Sequence, residues 1–252
     1  MKGDRNRDMK QKLDTWVQFT MTFIGGFVGI YALMNHCDLF GSAQTANMIG
    51  IVTGVIGGDV YEVLLRVLGL LIYMAGLACA AAVRHTKINI RWFSLGVDAV
   101  CVSGVGFLPD GVNHFAALYP LFFMTAIQWN AFQGAEGFQS SCIFSTNNLR
   151  QFTESIVAYL FDKDRSHLGK TRFYGTVLLA FHAGAAAGYL AGVSLGVRAS
   201  WICLFPVLTA AVLVSKSALP ERECCPAPLK TDDIRSLSAS SAGFCNPVKW
   251  TR

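Results

Sequence analysis

Six stretches of this chain, 17 to 24 residues long, each carry at most one charged or histidine side chain. They fall at residues 15–35, 63–83, 92–108, 114–132, 174–197 and 199–215. A helix needs about 20 apolar residues to cross the roughly 30 Å hydrocarbon core of a bilayer, and one soluble core does not call for so many such runs. Only 15% of the 252 residues are charged, against roughly 25% in a soluble domain. Those charges collect at residues 1–14, 84–91, 162–172 and 216–252. A water-soluble enzyme is excluded on these grounds, and so is a disordered chain, except at the ends. The expected class is an all-α integral membrane protein.

The net charge of +5 does not point to nucleic acid, because the basic residues flank apolar segments, where they orient a chain in the bilayer. No basic stripe interleaved with aromatics and no zinc-finger spacing is present. Of the eight cysteines, Cys37, Cys79, Cys101, Cys142 and Cys203 lie within or beside apolar stretches and read as small hydrophobes. Cys224, Cys225 and Cys245 lie in the tail, and no CxxC pair occurs. No disulfide framework, metal or cofactor is therefore expected. The chain also lacks a Gly-rich phosphate loop, a nucleophile elbow and an HExxH motif, so enzyme chemistry is not expected.

Two further apolar segments, 44–57 and 149–161, are too short to cross, since fourteen helical residues reach only about 21 Å. Each follows a long span and opens near a Thr/Asn element, Thr45-Ala46-Asn47 in one case and Thr146-Asn147-Asn148 in the other. Met21-Thr22 aligns with Met124-Thr125, and Tyr73-Met74-Ala75-Gly76 with Phe181-His182-Ala183-Gly184. The order long, short, long, long thus occurs twice. The expected organisation is a charged leader (1–14), a first membrane repeat (15–108), a second (114–215) and a disordered tail (220–252).

Loop charges favour six transmembrane helices with two non-crossing segments. The leader, the loops at 84–91 and 163–172 and the tail then share the cytoplasmic side. The loop 109–113, without Lys or Arg, faces outward. Three crossings per half point the halves oppositely, which makes two degenerate inverted repeats. The expected location is the plasma membrane, with both termini cytoplasmic.

The segments TFIGGF (22–27), FGSAQTANM (40–48), AIQWNAFQGA (126–135) and STNNLRQFTESIVAYL (145–160) resemble the YoaK-like family of multi-pass bacterial membrane proteins, a domain of unknown function. The resemblance spans roughly residues 15–215. Many members carry Thr-Gly-Asn where this chain has Thr45-Ala46-Asn47. The resemblance implies a multi-pass membrane protein and no particular activity.

Paired short segments at matching places in inverted halves point to a transporter's central site. A half-helix ending within the membrane offers unpaired N–H groups to an anionic or carbonyl-bearing ligand. Thr45, Asn47, Thr146, Asn147 and Asn148 are therefore candidate solute contacts. The competing reading is helix capping, which Asn and Thr favour, with Asn148-x-x-Gln151 resembling a capping box. Because Asp caps as well as Asn, Asn148→Asp is expected to fold and to lose function.

Gln128 and Asn130 either line the same cavity or bond between helices. Asp98, a lone carboxylate in an apolar stretch, and His182 are candidates for proton coupling or neutral structural groups. Gly184, Gly188, Gly192 and Gly196 recur every four residues, a pattern that lets helices pack closely. Arg150 and Glu154 are placed to pair. The expected function is a small-solute transporter or permease with a midplane site between the short segments. The alternative is a non-transporting scaffold or sensor that binds a lipid or protein partner. Membrane lipids and an unidentified small solute are the expected partners.

Overall fold

The computed structural model of the protein describes residues 2–35, 44–109 and 111–218. The expected disordered tail, with Cys224, Cys225 and Cys245, lies outside the described residues, as does Cys37. In chain order the elements are α1 (Lys2–Asn35), α2 (Gln44–Gly57), α3 (Val60–Arg84), α4 (Ile90–Val105) and α5 (His114–Ala131). A small hairpin, β1 (Gly134–Ala135) and β2 (Phe138–Gln139), precedes α6 (Thr146–Asp162) and α7 (Ser166–Leu195). A 3₁₀ segment, Gly196–Cys203, leads into α8 (Leu204–Ser217).

Local chemistry sets several of these boundaries. Asp59 accepts the Glu62 N–H at the start of α3, Asn89 the Arg91 N–H at α4, and Asn113 the Phe115 N–H at α5. The hairpin turns on Glu136 and Gly137, both at positive φ, as a two-residue turn with the sheet's natural twist requires. The charged leader is not a separate element; it forms the first turns of α1.

Among the described residues, three segments are long and apolar enough to cross a membrane: Asn6–Asn35, Val60–Arg84 and Ser166–Ser217, the last being α7, the 3₁₀ segment and α8 together. Helix α1 is the hub. Two-thirds of its apolar window is buried inside the protein, against 22% for Val60–Arg84. Its Met21, Ile24, Phe27 and Tyr31 are enclosed by α5, α7 and α8.

Side-chain contacts sort the helix ends into two groups. At the leader end, Asp14 accepts from Arg91 and Ser217, Thr15 donates to Glu136, and Arg84 donates to the Asn130 carbonyl. At the opposite end, Tyr31 donates to the Val197 carbonyl, Trp201 to Ser103 and Tyr119 to Leu65. Helices α1, α4 and α7 thus run away from the leader end, and α3, α5 and α8 run back. The two short helices pack along single neighbours, α2 on α3 and α6 on α7.

Glycines set the closest approaches. Cβ atoms added at Gly184 and Gly26 would strike the main-chain carbonyls of Phe23 and Phe181, so α1 and α7 touch backbone to backbone. Gly188 and Gly192 continue that seam against Phe27, Ile30 and Met34, while Gly196 lies beyond it at positive φ. On the other side, Gly76 of α3 lies against Phe123 and Ala126 of α5.

Candidate functional site

Between the hairpin and α6 the chain leaves regular structure. Residues 140–145 form no helix or strand, and Ser140, Ser141, Cys142 and Ile143 are all buried. Irregular backbone at membrane depth is tolerated only where protein or a cavity satisfies its polar groups. Here the neighbours supply the partners. Gln18 of α1 donates to Ser140 Oγ at 2.9 Å, and Tyr174 of α7 donates to the Gln139 carbonyl at 2.6 Å. Ser141 Oγ accepts the Phe144 N–H at 3.0 Å.

At the deepest point, Cys142 rests its carbonyl where a Cβ on Gly25 would stand, which only glycine permits. The Cys142 thiol faces the Gln128 carbonyl at 3.8 Å. Gln128 itself reaches across to α1 and donates to the Met21 carbonyl at 2.9 Å. The stretch therefore enters from the leader end, touches the middle of α1 and returns as α6.

Asn148 holds this re-entrant stretch in shape. Its amide donates to the carbonyls of Ser141 (2.7 Å) and Phe144 (3.0 Å) and accepts the Ser141 N–H (3.2 Å). It is a clamp within the loop rather than the N-cap of α6, a position that Ser145 occupies without a side-chain bond. All of its hydrogen bonds go to the main chain, and Asn148→Asp would point an acceptor at two carbonyls. The capping role on which that expectation rests belongs to Ser145 by position, and Asn148→Asp is now expected to cost stability.

Asn47, also buried, bonds to Gln44 and to the Arg66 carbonyl of α3. Arg66 stacks over Phe115 at the end opposite the leader. The two Asn residues are thus tied to different ends of the bundle, and the structure does not bring the short segments together. Thr45, Thr146 and Asn147 are exposed, Asn147 accepting from Arg150. Arg150 and Glu154 pair at 3.4 Å, on an exposed face. Asn130 bonds within its own helix. His182 lies on the exposed face of α7, held to the Leu178 carbonyl, and so does not reach Asp98.

The interior also holds Asp98 on α4, which packs against α5, and Gln128 on α5 itself, against Cys142. Asp98 and Gln128 are fully buried, and Asp98 interacts electrostatically with the thiols of Cys101, Cys142 and Cys203. Neither oxygen of Asp98 has a hydrogen-bond partner, nor has Gln128 Oε1, nor Ser94 Oγ one turn before Asp98 on the same buried face. Unpaired polar atoms at such depth are expensive, and proteins keep them where they serve a purpose.

Sequence reasoning missed Ser94 and Cys142. The spacing Ser94-x-x-x-Asp98 was the available sign for the first, since residues four apart share a helix face. The polar run Ser140-Ser141-Cys142, set between two apolar segments, was the sign for the second.

A family described as "Protein of unknown function (DUF1275)" matches residues 17–213. The chain belongs to this family. No curated protein and no solved structure matches it. The DUF1275 match begins within α1 and ends within α8, spanning every element between them. Asp98, Gln128 and Cys142 all lie inside it.

Proposed function

We propose that this protein is a small-solute permease whose moving part is the re-entrant stretch 140–145 with α6. One observation carries the reading: a non-helical, largely buried segment reaches the middle of α1 and leads directly into α6. Discontinuous elements of this kind form the substrate sites of many transporters, and a protein with only a scaffolding role has no need of one. In this reading the solute site lies at the tip, beside Gln128 and Cys142, rather than between two short segments.

The reading takes six crossings, with the leader end cytoplasmic and the plasma membrane as the host. The basic loops 84–91 and 163–172 share that end. An inverted repeat is supported by the packing: α1 lies on α7 as α5 lies on α3, and α6 on α7 as α2 on α3.

The test is flux. Purified protein is reconstituted into liposomes, and entry of a panel of small polar solutes is followed by light scattering as the vesicles swell. At least one solute is expected to enter faster than into protein-free vesicles, and Cys142→Trp, which jams the tip, is expected to abolish the difference. Equal rates across the panel would sink the permease reading and leave the scaffold or sensor in its place.

A further inference from the structure

Asp98 lies fully buried, and among the described residues no main-chain or side-chain donor meets either of its oxygens. The arginines at the bundle ends are engaged elsewhere: Arg91 with Asp14, Arg66 with Glu62, and Arg84 with the Asn130 carbonyl. Among the described residues, ionisable groups buried or half-buried on α4 and on the elements packed against it include Cys101 on α4, Cys203 ahead of α8 and Tyr73 on α3. None of them is basic.

The open atoms of this interior, both Asp98 oxygens, Gln128 Oε1 and Ser94 Oγ, are all oxygens. Three of the four are pure acceptors when the carboxyl is ionised. An anion would meet the carboxylate, and a solute offering only acceptors would find a single hydroxyl. A neutral donor could satisfy the acceptors, but an ionised carboxylate at this depth also calls for neutralisation, which a cation or a proton supplies.

We propose that Asp98, with Ser94 one turn before it, binds a small monovalent cation, either a proton or an alkali-metal ion. The bound ion neutralises the carboxylate on the buried face of α4, so occupancy and the packing of α4 against α5 and α8 are linked. The inference rests on the permease reading for its purpose, which is to supply the coupling ion. The binding itself does not require transport.

The test uses the full chain, purified in detergent, and reads thermal unfolding, because a ligand that binds only the folded state raises Tm. In one series NaCl replaces choline chloride at constant ionic strength; in the other the pH is lowered from about 8 to about 6. Wild type is expected to gain Tm along one series, which names the ion, and Asp98→Asn is expected to lose that response. Ser94→Ala keeps the carboxylate and is expected to shift the midpoint of the response about tenfold, the equivalent of one lost contact. That variant decides the matter should Asp98→Asn fail to fold. No response in wild type, or a response unchanged in both variants, overturns the proposal. An Asp98-dependent response without solute flux would keep the cation site and remove the permease; flux without the response would do the opposite.

Discussion

Asp14 and Arg91, 77 positions apart, meet in an ion pair of 2.6 Å. The pair fixes the start of α4 beside the leader end of α1, and Ser217, donating to the same carboxylate at 2.8 Å, brings in the end of α8. Arg91 and Asp14 are each about a quarter to a third exposed, so the pair contributes direction more than stability. A cysteine at position 87 is therefore expected to react with impermeant maleimide from the same side as one at position 164, and one at position 111 from the other side. Labelling of 87 and 111 from one side would contradict the bundle directions.

Gly184→Val is expected to destabilise the protein by about 1–3 kcal/mol or more, because the obstacle is the main chain of Phe23, which cannot swing aside. Gly96 on α4 has nothing within 4 Å of an added Cβ. Gly96→Ala is accordingly expected to be neutral or stabilising by up to about 1 kcal/mol, from helix propensity alone. Melting temperatures in detergent separate the two. Equal behaviour would mean that α1 and α7 do not touch.

Asn148→Asp is expected to lower stability by about 1–3 kcal/mol, the usual cost of leaving a buried hydrogen-bonding group without its partner. Thr146→Val, two residues away but exposed, is expected to stay within about 0.5 kcal/mol of wild type. Chemical or thermal unfolding in detergent compares them. An Asn148→Asp variant as stable as the parent would show that the clamp on residues 140–145 is dispensable.

Asp164, in the loop before α7, accepts both the Ser166 N–H and the Ser166 hydroxyl, and these bonds hold its carboxyl below the ordinary 3.8. A depressed carboxyl stabilises the fold above its unfolded value and loses that effect as pH falls through the folded one. The first turn of α7 is thus expected to fray only below about pH 4, and Asp164→Ala to fray at neutral pH. Hydrogen exchange at the start of α7 reads this directly, and identical exchange in the two proteins would refute it.

Apolar run length located every helix. The short segment 44–57 coincides with α2 residue for residue, since Gly57 and Gly58 end the run as sharply as its polar start begins it. The Thr/Asn elements were visible, yet their partners were not, because the main-chain groups of Ser141, Phe144 and Arg66 that they bind leave no mark in side-chain pattern. His182 and Asp98 looked alike from the sequence, each a lone ionisable group in an apolar stretch. Which of the two faces inward depends on helix rotation, and in a helix apolar all round nothing in the periodicity records it. The burial of Asp98 and the exposure of His182 came only with the packing.

The glycine seam between α1 and α7, matched by the close approach of α3 to α5, has a mechanical consequence. Each seam fastens a helix from the first part of the chain to one from the second, so the two parts are laced into each other like clasped fingers. Rocking one part as a block against the other would tear both seams at once. Any large rearrangement must instead proceed by sliding, with the α1–α7 pair moving as one plank against the α3–α5 pair, and residues 140–145, wedged between α1 and α5, riding on the joint.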